Sequence, residues 1–346
     1  MINTKIKMSA IVLSFVLASH ANATVYTYDT DVHLYAGQIG GSAAGDSVTH
    51  LDGSSVTVHS GGQIHLRGSL ETQGSYTSTF MAGSYVETYA GAIVNHTGQT
   101  VVNNYGTLVL NEGTTINYTS GTKYFSRAGS YSTNNAEVIN NGDFVFESGS
   151  TVNGSGSFTQ NSGGSIIVNG EITQGSINIV GSGYLGGSGT INGNVYASGS
   201  DVIINSGNSP GVLKINGDLV VEEGAKIIME IGAAGHDTLQ VSGEFDLQAG
   251  TEIIFDFLDG LDETILESFE LGDFFETVPT TPGGTVPVLD IAPFSELVFG
   301  FKSQNDDIIA LNIGSGGQIV KVPEPGNLGL FFVGLLALTF RRRGLV

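Results

Sequence analysis

The chain has 346 residues, no cysteine and no tryptophan, 51 glycines, and 33 acidic against 12 basic residues. Without cysteine there is no disulfide, thiolate metal site or thiol nucleophile, and a formal charge of −21 sets the surface against nucleic acid and anionic lipid. A hydrophobic content of 40% with only 13% charged residues supplies a core, which excludes a chain disordered throughout.

At the N-terminus, Lys5 and Lys7 precede an apolar run over 10–18 and the small residues Ala21-Asn22-Ala23. This is the layout of a secretory signal peptide over 1–23, with Ala21 and Ala23 flanking the cut made by signal peptidase. The apolar run is too short to span a bilayer. From Thr24 onward the sequence therefore reads as an extracytoplasmic protein. Its body carries 32 acidic against seven basic residues, a formal charge near −25, for which solubility is sufficient reason.

The body, 24–260, repeats a pattern: a small residue, apolar residues two and four later, a glycine at seven, and a further apolar position near ten. It occurs as Gly106, Leu108, Leu110, Gly113, Ile116, and as Gly142, Phe144, Phe146, Gly149, Val152. It returns as Gly217, Leu219, Val221, Gly224, Ile227, as Gly243, Phe245, Leu247, Gly250, Ile253, and in the same register from Ser54 through Val56, Val58, Gly61 and Ile64. Apolar residues alternating with Ser, Thr, Asn and Glu have the period of a strand with one face buried, and the glycines fall where the chain turns. The expected fold is all-β, a right-handed parallel β-helix with rungs of roughly twenty to twenty-five residues, about ten of them, and a rod on the order of 50 Å. The alternative is a β-sandwich, because Asn141-Gly142, Asn153-Gly154, Asn169-Gly170, Asn192-Gly193 and Asn216-Gly217 are dipeptides that close two-residue hairpins. In the β-helix, Leu108, Phe146, Val221 and Leu247 point inward and Asn111 outward. The earliest portion, through Tyr85 and Gly91, fits the template less well and is expected to be a cap or to use shorter rungs.

Within 186–219 the text Gly-Gly-Ser-Gly-Thr-Ile-Asn-Gly-Asn-Val, then Asn-Ser-Pro-Gly-Val-Leu and Ile-Asn-Gly-Asp-Leu, resembles the strand repeat of autotransporter passenger domains. Those passengers are mostly β-helical, and many are adhesins. An autotransporter ends in a membrane β-barrel, and no region of that length with barrel alternation follows here.

After Gly260 the repeat dissolves. An acidic, Phe-rich stretch with Leu271, Phe274 and Phe275, and expected strands over 297–301 and 308–313, read as a C-terminal cap over 261–313; Gly314-Ser315-Gly316-Gly317 opens a linker over 314–321. The segment 322–346 holds Pro323, Glu324 and Pro325, an apolar run over 328–340, and Arg341, Arg342 and Arg343. Thirteen residues of helix cover only about 20 Å of a hydrocarbon core near 30 Å, so the run suits a transient inner-membrane anchor more than a permanent one. The arginines stay cytoplasmic and place the body outside, and the prolines hold Glu324 in extended backbone open to a processing enzyme. The segment closely resembles the PEP-CTERM sorting signal. The resemblance implies recognition by an exosortase, processing at Pro323, Glu324 and Pro325 and delivery to the exterior, often alongside exopolysaccharide.

No catalytic constellation stands out. Carboxylates are scattered, the densest run being Asp256, Asp259, Asp262 and Glu263 without the spacing of a calcium loop, and His33, His50, His59, His65 and His96 include no His-x-x-x-His pair. We therefore expect no metal, cofactor or catalytic site. The expected protein is a secreted or cell-surface one, structural or adhesive, whose partner is exopolysaccharide, a biofilm matrix or another cell surface. A polysaccharide-active β-helix enzyme, lyase or glycosidase, is the alternative.

Overall fold

The computed structural model describes residues 3–5, 25–207, 210–248, 251–258 and 274–275, together with four short strands at 298–302, 308–310, 312–313 and 319–320. The chain is wound as a β-solenoid of about 10 turns. Each coil contributes three short strands, one to each of three faces, here called sheets 1, 2 and 3. In the second coil these are Ser55–Val58, Gln63–Leu66 and Ser69–Thr72; in the third, Thr77–Phe80, Tyr85–Thr88 and Ile93–His96. Each of these strands pairs in parallel with its counterpart one coil on, as in Ser55 with Thr77, Gln63 with Tyr85 and Ser69 with Ile93. Successive coils are then one strand spacing apart, about 4.8 Å.

The strands form because the sequence alternates. Ser55–Val58, Thr77–Phe80, Tyr85–Thr88 and Asp143–Phe146 all bury their second and fourth residues and leave the first and third partly open. Leu108, Phe146, Val221 and Leu247 are buried, as their spacing demands. Asn111 is not the free outward residue expected: its amide donates to Glu87 Oε1 (3.0 Å) and to the Thr88 carbonyl (2.7 Å) of the preceding coil.

The coil length varies. Sheet 1 steps 24 residues from Val32 to Val56, 19 from Ser165 to Tyr184, and 26 from Lys226 to Glu252, while the pairing stays parallel. The earliest portion is neither cap nor short-runged, since its steps, Val32 to Val56 and Ser55 to Thr77, are as long as those further on. What differs there is the filling of the coil, described below.

None of the five Asn-Gly pairs makes a hairpin; each lies at a corner between faces. Gly154 adopts φ 142°, and a Cβ there would run into the Asn134 carbonyl of the coil before, so the close approach of corners requires glycine. The asparagines instead bond along the rod: Asn141 Nδ2 donates to the Tyr118 carbonyl at 3.0 Å, and Asn216 Nδ2 to Asn192 Oδ1 at 2.7 Å. At Glu171–Val180 and Thr190–Ser198 the chain rounds the corner between sheets 2 and 3 without leaving strand conformation, at the expense of a register shift between Thr173 and Ser176.

Inside, side chains stack in columns. One column of sheet 3 runs Tyr28, His50, Thr72, His96, Tyr118, Asn140, Gln160, and then Ile179, Ala197, Val221, Leu247. It changes from polar and aromatic to aliphatic at the seventh coil. The buried polar groups of the first part bond to one another: Thr72 Oγ1 with Thr100 Oγ1 (2.9 Å) and His96 Nδ1 (3.2 Å), Asn104 with Ser132 (3.1 Å), and Asn134 with Gln174 (2.7 Å). The first four coils are also hollow, enclosing a cavity of about 320 Å³.

At the far end, Glu252–Phe257 pairs in parallel with Lys226–Gly232 and is followed by Val298–Lys302, on which Ile308–Ala310 folds back antiparallel. Phe275 bridges to Leu239 and its ring lies 5.8 Å from that of Phe245, while Phe274 sits 4.8 Å from His236. Both phenylalanines are buried over the last apolar rung. At the other end, Asn3–Lys5, inside the expected signal peptide, pairs in parallel with Val25–Tyr28.

Candidate functional site

Because strand residues alternate, each outward position of a sheet repeats once per coil and builds a column on the surface. Along sheet 2 the first outward column is Ile39, Gln63, Tyr85, Thr107, Tyr131, Thr151. Beside it, at the turn entering sheet 2, stand Tyr35, His59, Met81 and Tyr105, the last three each donating a backbone N–H to the coil before, at Leu34, Val58 and Phe80. Of the seven large apolar residues exposed among the described residues, five (Tyr35, Ile39, Met81, Tyr105 and Tyr131) lie on this edge of the first five coils. That concentration makes the edge an apolar ridge and not a scatter of single residues.

The ridge is held in place by its neighbours. Tyr35 stacks flat on His59, with centroids 4.4 Å apart and planes at 6°, and His33 Nδ1 lies 3.3 Å from His59 Nε2. Arg127, one coil beyond Tyr105, donates to Asn103 Oδ1 (2.6 Å) and Glu147 Oε1 (2.6 Å) while its guanidinium lies 4.2 Å from the Phe125 centroid. It is fixed as a planar, amide-flanked cation.

On the next columns of the same face, two coils bring a polar group together. Glu87 pairs with His65 across sheet 2, and Tyr89 follows Arg67 one coil later at the corner. Tyr89 Oη donates to Glu87 Oε2 at 2.6 Å, His65 Nδ1 lies 3.0 Å from Tyr89 Oη and 3.4 Å from Glu87 Oε2, and His65 Nε2 is 3.1 Å from Gln63 Oε1. The Arg67 guanidinium sits 3.9 Å above the Tyr89 ring, and its Nη1 is buried without a hydrogen-bond partner. Burial pushes the Glu87 carboxyl up, but hydrogen bonds from Tyr89, Asn111 and Tyr85 and the nearby His65 outweigh it and hold the group below the usual carboxylate range. The Tyr89 phenol is pushed up, first by its bond to Glu87 and then by burial; the Tyr85 phenol is pushed up by burial and by the Glu87 charge. Tyr89 thus keeps its proton, and the group offers a carboxylate, two phenols, an imidazole, amides and one guanidinium on a flat wall.

Sequence reading singled out His65 only as one of several histidines and passed over Arg67, Glu87 and Tyr89. The signal was present in Gln63-x-His65-x-Arg67 and Tyr85-x-Glu87-x-Tyr89, chemistry at every second residue, but it takes the 22-residue register to set the two runs side by side. His33 and His59 meet on the ridge, His50 and His96 are interior, and among the described residues no three His, Asp or Glu gather as metal ligands. Of the acidic run only Asp256 is described; Asp259, Asp262 and Glu263 lie outside the described residues. Ala21 and Ala23, Pro323, Glu324 and Pro325, and Arg341, Arg342 and Arg343 lie outside them as well. Among the described residues no helix is long and apolar enough to cross a membrane.

Fold and surface define an elongated β-solenoid with one aromatic, amide-rich face. Residues 321–343 match the family described as the PEP-CTERM protein-sorting motif. The chain thus carries a signal recognised by exosortase, which implies export to the cell surface or the extracellular space. No curated protein matches the chain, so the resemblance of 186–219 to autotransporter passengers rests on those residues alone.

Proposed function

We propose that the chain is a non-catalytic structural or adhesive protein of the cell surface or extracellular matrix, and that the ridge beside sheet 2 binds exopolysaccharide. The observation that carries this reading is the gathering of Tyr35, Met81, Tyr105 and Tyr131 on one edge of an otherwise polar rod. A pyranose ring has an apolar C–H face that lies against a flat aromatic ring, while its hydroxyls need amide, carboxylate and phenol partners at the rim. Coils repeat at about 4.8 Å, near the length of one sugar unit, so an extended glycan running along the rod meets equivalent side chains again and again. The acidic body favours a neutral or amino-bearing polymer over a polyanionic one. The test is sedimentation of the exported protein with insoluble neutral, amino and uronic polysaccharides. We expect retention by one of the first two and a loss of about tenfold or more for Tyr105→Ala combined with Tyr131→Ala, on the order of 1 kcal/mol for each ring. Equal retention of wild type and variant would remove the ridge from the account.

The group of His65, Arg67, Glu87 and Tyr89 favours a second reading, a polysaccharide lyase, in which a base removes a proton beside a carboxylate neutralised by arginine. Against it, the Tyr89 proton is held by Glu87 and its phenol is raised away from neutrality, which makes a poor base. Release of unsaturated products from any uronic polymer, abolished by Tyr89→Phe, would establish the enzyme reading.

The C-terminal segment serves as a transient inner-membrane anchor that exosortase removes near Pro323, Glu324 and Pro325, leaving the solenoid outside. The support is the matched motif, an apolar run short of the bilayer thickness, and arginines on its inner side. Mass spectrometry of surface molecules should find a C-terminus near 323–325; an intact 341–346 peptide on most of them would make the segment a lasting anchor.

A further inference from the structure

The cavity in the first four coils lies inside the rod and meets the ridge only at its mouth, where His33 and Tyr35 line it. Its wall is mostly aliphatic and aromatic, with Val48, Val56, Leu66, Val86, Val94 and Val102 along it, and it reaches inward to Ile116 and Tyr118. From the first coil to the fourth this is roughly 15 Å of length at one strand spacing per coil. Its volume of about 320 Å³ falls within the usual size of small-molecule pockets, ~300–1,000 Å³, and is far beyond an ordinary packing defect.

The outer end is lined by smaller and more polar groups than the interior. In the inward column of sheet 2 where later coils carry Ile64, Val86 and Leu108, the first coil has Gly40, and the Leu34 side chain packs where a Cβ would stand, so Leu34 and not sheet 2 narrows the mouth. Thr30, Asp31, His33 and Tyr35 line this end, and Tyr35 is 52% exposed. The strand Asn3–Lys5, which pairs with Val25–Tyr28 at this end, belongs to the segment expected to leave with the signal peptide.

One polar group in the wall has no partner. His50 is only 6% exposed, is sandwiched between Tyr28 (5.0 Å) and Tyr76 (4.9 Å), and its Nδ1 makes no hydrogen bond. A buried ring nitrogen left unsatisfied carries a desolvation cost that a bound hydroxyl or carbonyl would relieve. Burial holds the ring neutral, its pKa pushed down to about 4, so it presents an uncharged hydrogen-bonding site at neutral pH.

We propose that the hollow N-terminal coils bind one slender alkyl chain bearing an uncharged polar end, such as a medium-chain alcohol or monoacylglycerol, inserted from the first coil with its polar end at His50. The tail lies along Val86, Val94 and Val102 toward Tyr118. A free fatty acid is disfavoured, because Asp31 at the mouth and the acidic body oppose a carboxylate. Chain length is set by Tyr118 and Phe144, whose rings close the lumen edge to face at 4.6 Å.

The test uses the exported protein, freed of its signal peptide, titrated with dodecanol and with dodecanoate. Dodecanol should bind one molecule per chain, at least tenfold more tightly than dodecanoate, and native mass spectrometry should register the single adduct. Val102→Phe, which fills the lumen, should weaken dodecanol at least tenfold with a melting temperature equal to or above that of wild type, while Tyr131→Ala on the outer ridge should leave it unchanged. Should Val102→Phe fail to fold, nuclear Overhauser contacts from dodecanol to the Val86 and Val94 methyls in wild type decide the same question. Absence of binding, equal binding by a folded Val102→Phe, or contacts only to surface residues would overturn the proposal.

Discussion

The two halves of the rod share one backbone and differ in what fills it. In coils one to six the inward columns hold His50, Thr72, His96, Asn104, Asn134 and Asn140 among the apolar residues, and the first four coils are hollow. In coils seven to ten the same columns hold Ile177, Ile179, Leu185, Ile191, Val195, Leu213 and Leu219, all fully buried. Pairing between coils is parallel in both halves, so the strands hold the coils together and the interior chemistry is free to vary around them. The aliphatic half is the one stabilised by close packing; the polar half depends on internal hydrogen-bond ladders and carries both the ridge and the cavity. Close packing and the exposed aromatic edge are thus segregated along a single rod.

The largest effect that tests this division is a charge in the aliphatic half. Leu213 points inward and is fully buried, whereas its neighbour Lys214 is exposed between Thr190 and Gln240. Leu213→Asp should cost several kcal/mol and leave much of the chain unfolded, and Lys214→Asp should change stability by about 0.5 kcal/mol or less. Thermal melts followed by circular dichroism check this, and equal melts for the two would break the register.

A smaller effect separates the halves directly. Ile116 and Ile177 occupy the same inward column of sheet 3, the first beside the cavity and the second in the close-packed half. Removing the same atoms should cost about 4–5 kcal/mol as Ile177→Ala but nearer 2 kcal/mol as Ile116→Ala, because the packing lost beside an existing void is less. Denaturant titration of both variants measures the difference, and identical costs would mean that the first coils are as tightly packed as the last.

Acid should act on the halves in opposite directions. Burial pushes the His50 pKa down to about 4, and burial together with nearby His50 pushes His96 down to about 3, against ~6.5 in an unfolded chain. Below about pH 6.5 the unfolded chain takes up protons that the folded one refuses, so the first half loses stability as the pH falls toward 4. Asp237 is the reverse: burial, only partly offset by N–H donors from Glu230 and Gly211, pushes it up to about 6, above the ~3.9 of an unfolded chain. Its contribution is fully present below about pH 3.9 and is lost as the pH rises through 6, so acidification from pH 7 to 5 favours the second half at this site. Hydrogen exchange corrected for intrinsic rate should show protection falling in coils two to four and holding in coils nine and ten. His96→Phe should blunt the loss.

Why the fold was legible and the surface was not follows from these columns. The repeat from Gly106 through Leu108, Leu110 and Gly113 falls on sheet 2, that from Gly142 through Phe144 and Phe146 on sheet 1, and that from Gly217 through Leu219 and Val221 on sheet 3. What recurs is therefore a strand and a corner, about a third of a coil, which is enough to read a β-solenoid and not enough to place any coil on its neighbour. The coil step drifts from 19 to 26 residues as corners gain or lose residues, so His65 and Glu87 could not be set side by side in advance. The first coils looked irregular because Thr, Ser, His and Tyr take inward positions that the template reserves for aliphatic residues. Hydrogen bonds such as Thr88 Oγ1 to Thr114 Oγ1 at 3.1 Å make those choices compatible with burial.

The claim at the centre is that one edge of the rod, and not the others, meets the polysaccharide. The chain has no cysteine, so single cysteines report on one site each. Tyr131→Cys lies on the ridge beside sheet 2, and Thr115→Cys is an exposed position on sheet 3 of the preceding coil. Thiol labelling of each, with and without the polysaccharide that retains the protein, should show at least a severalfold slowing at position 131 and none at 115. Equal labelling at both, or protection of 115 alone, would contradict the account.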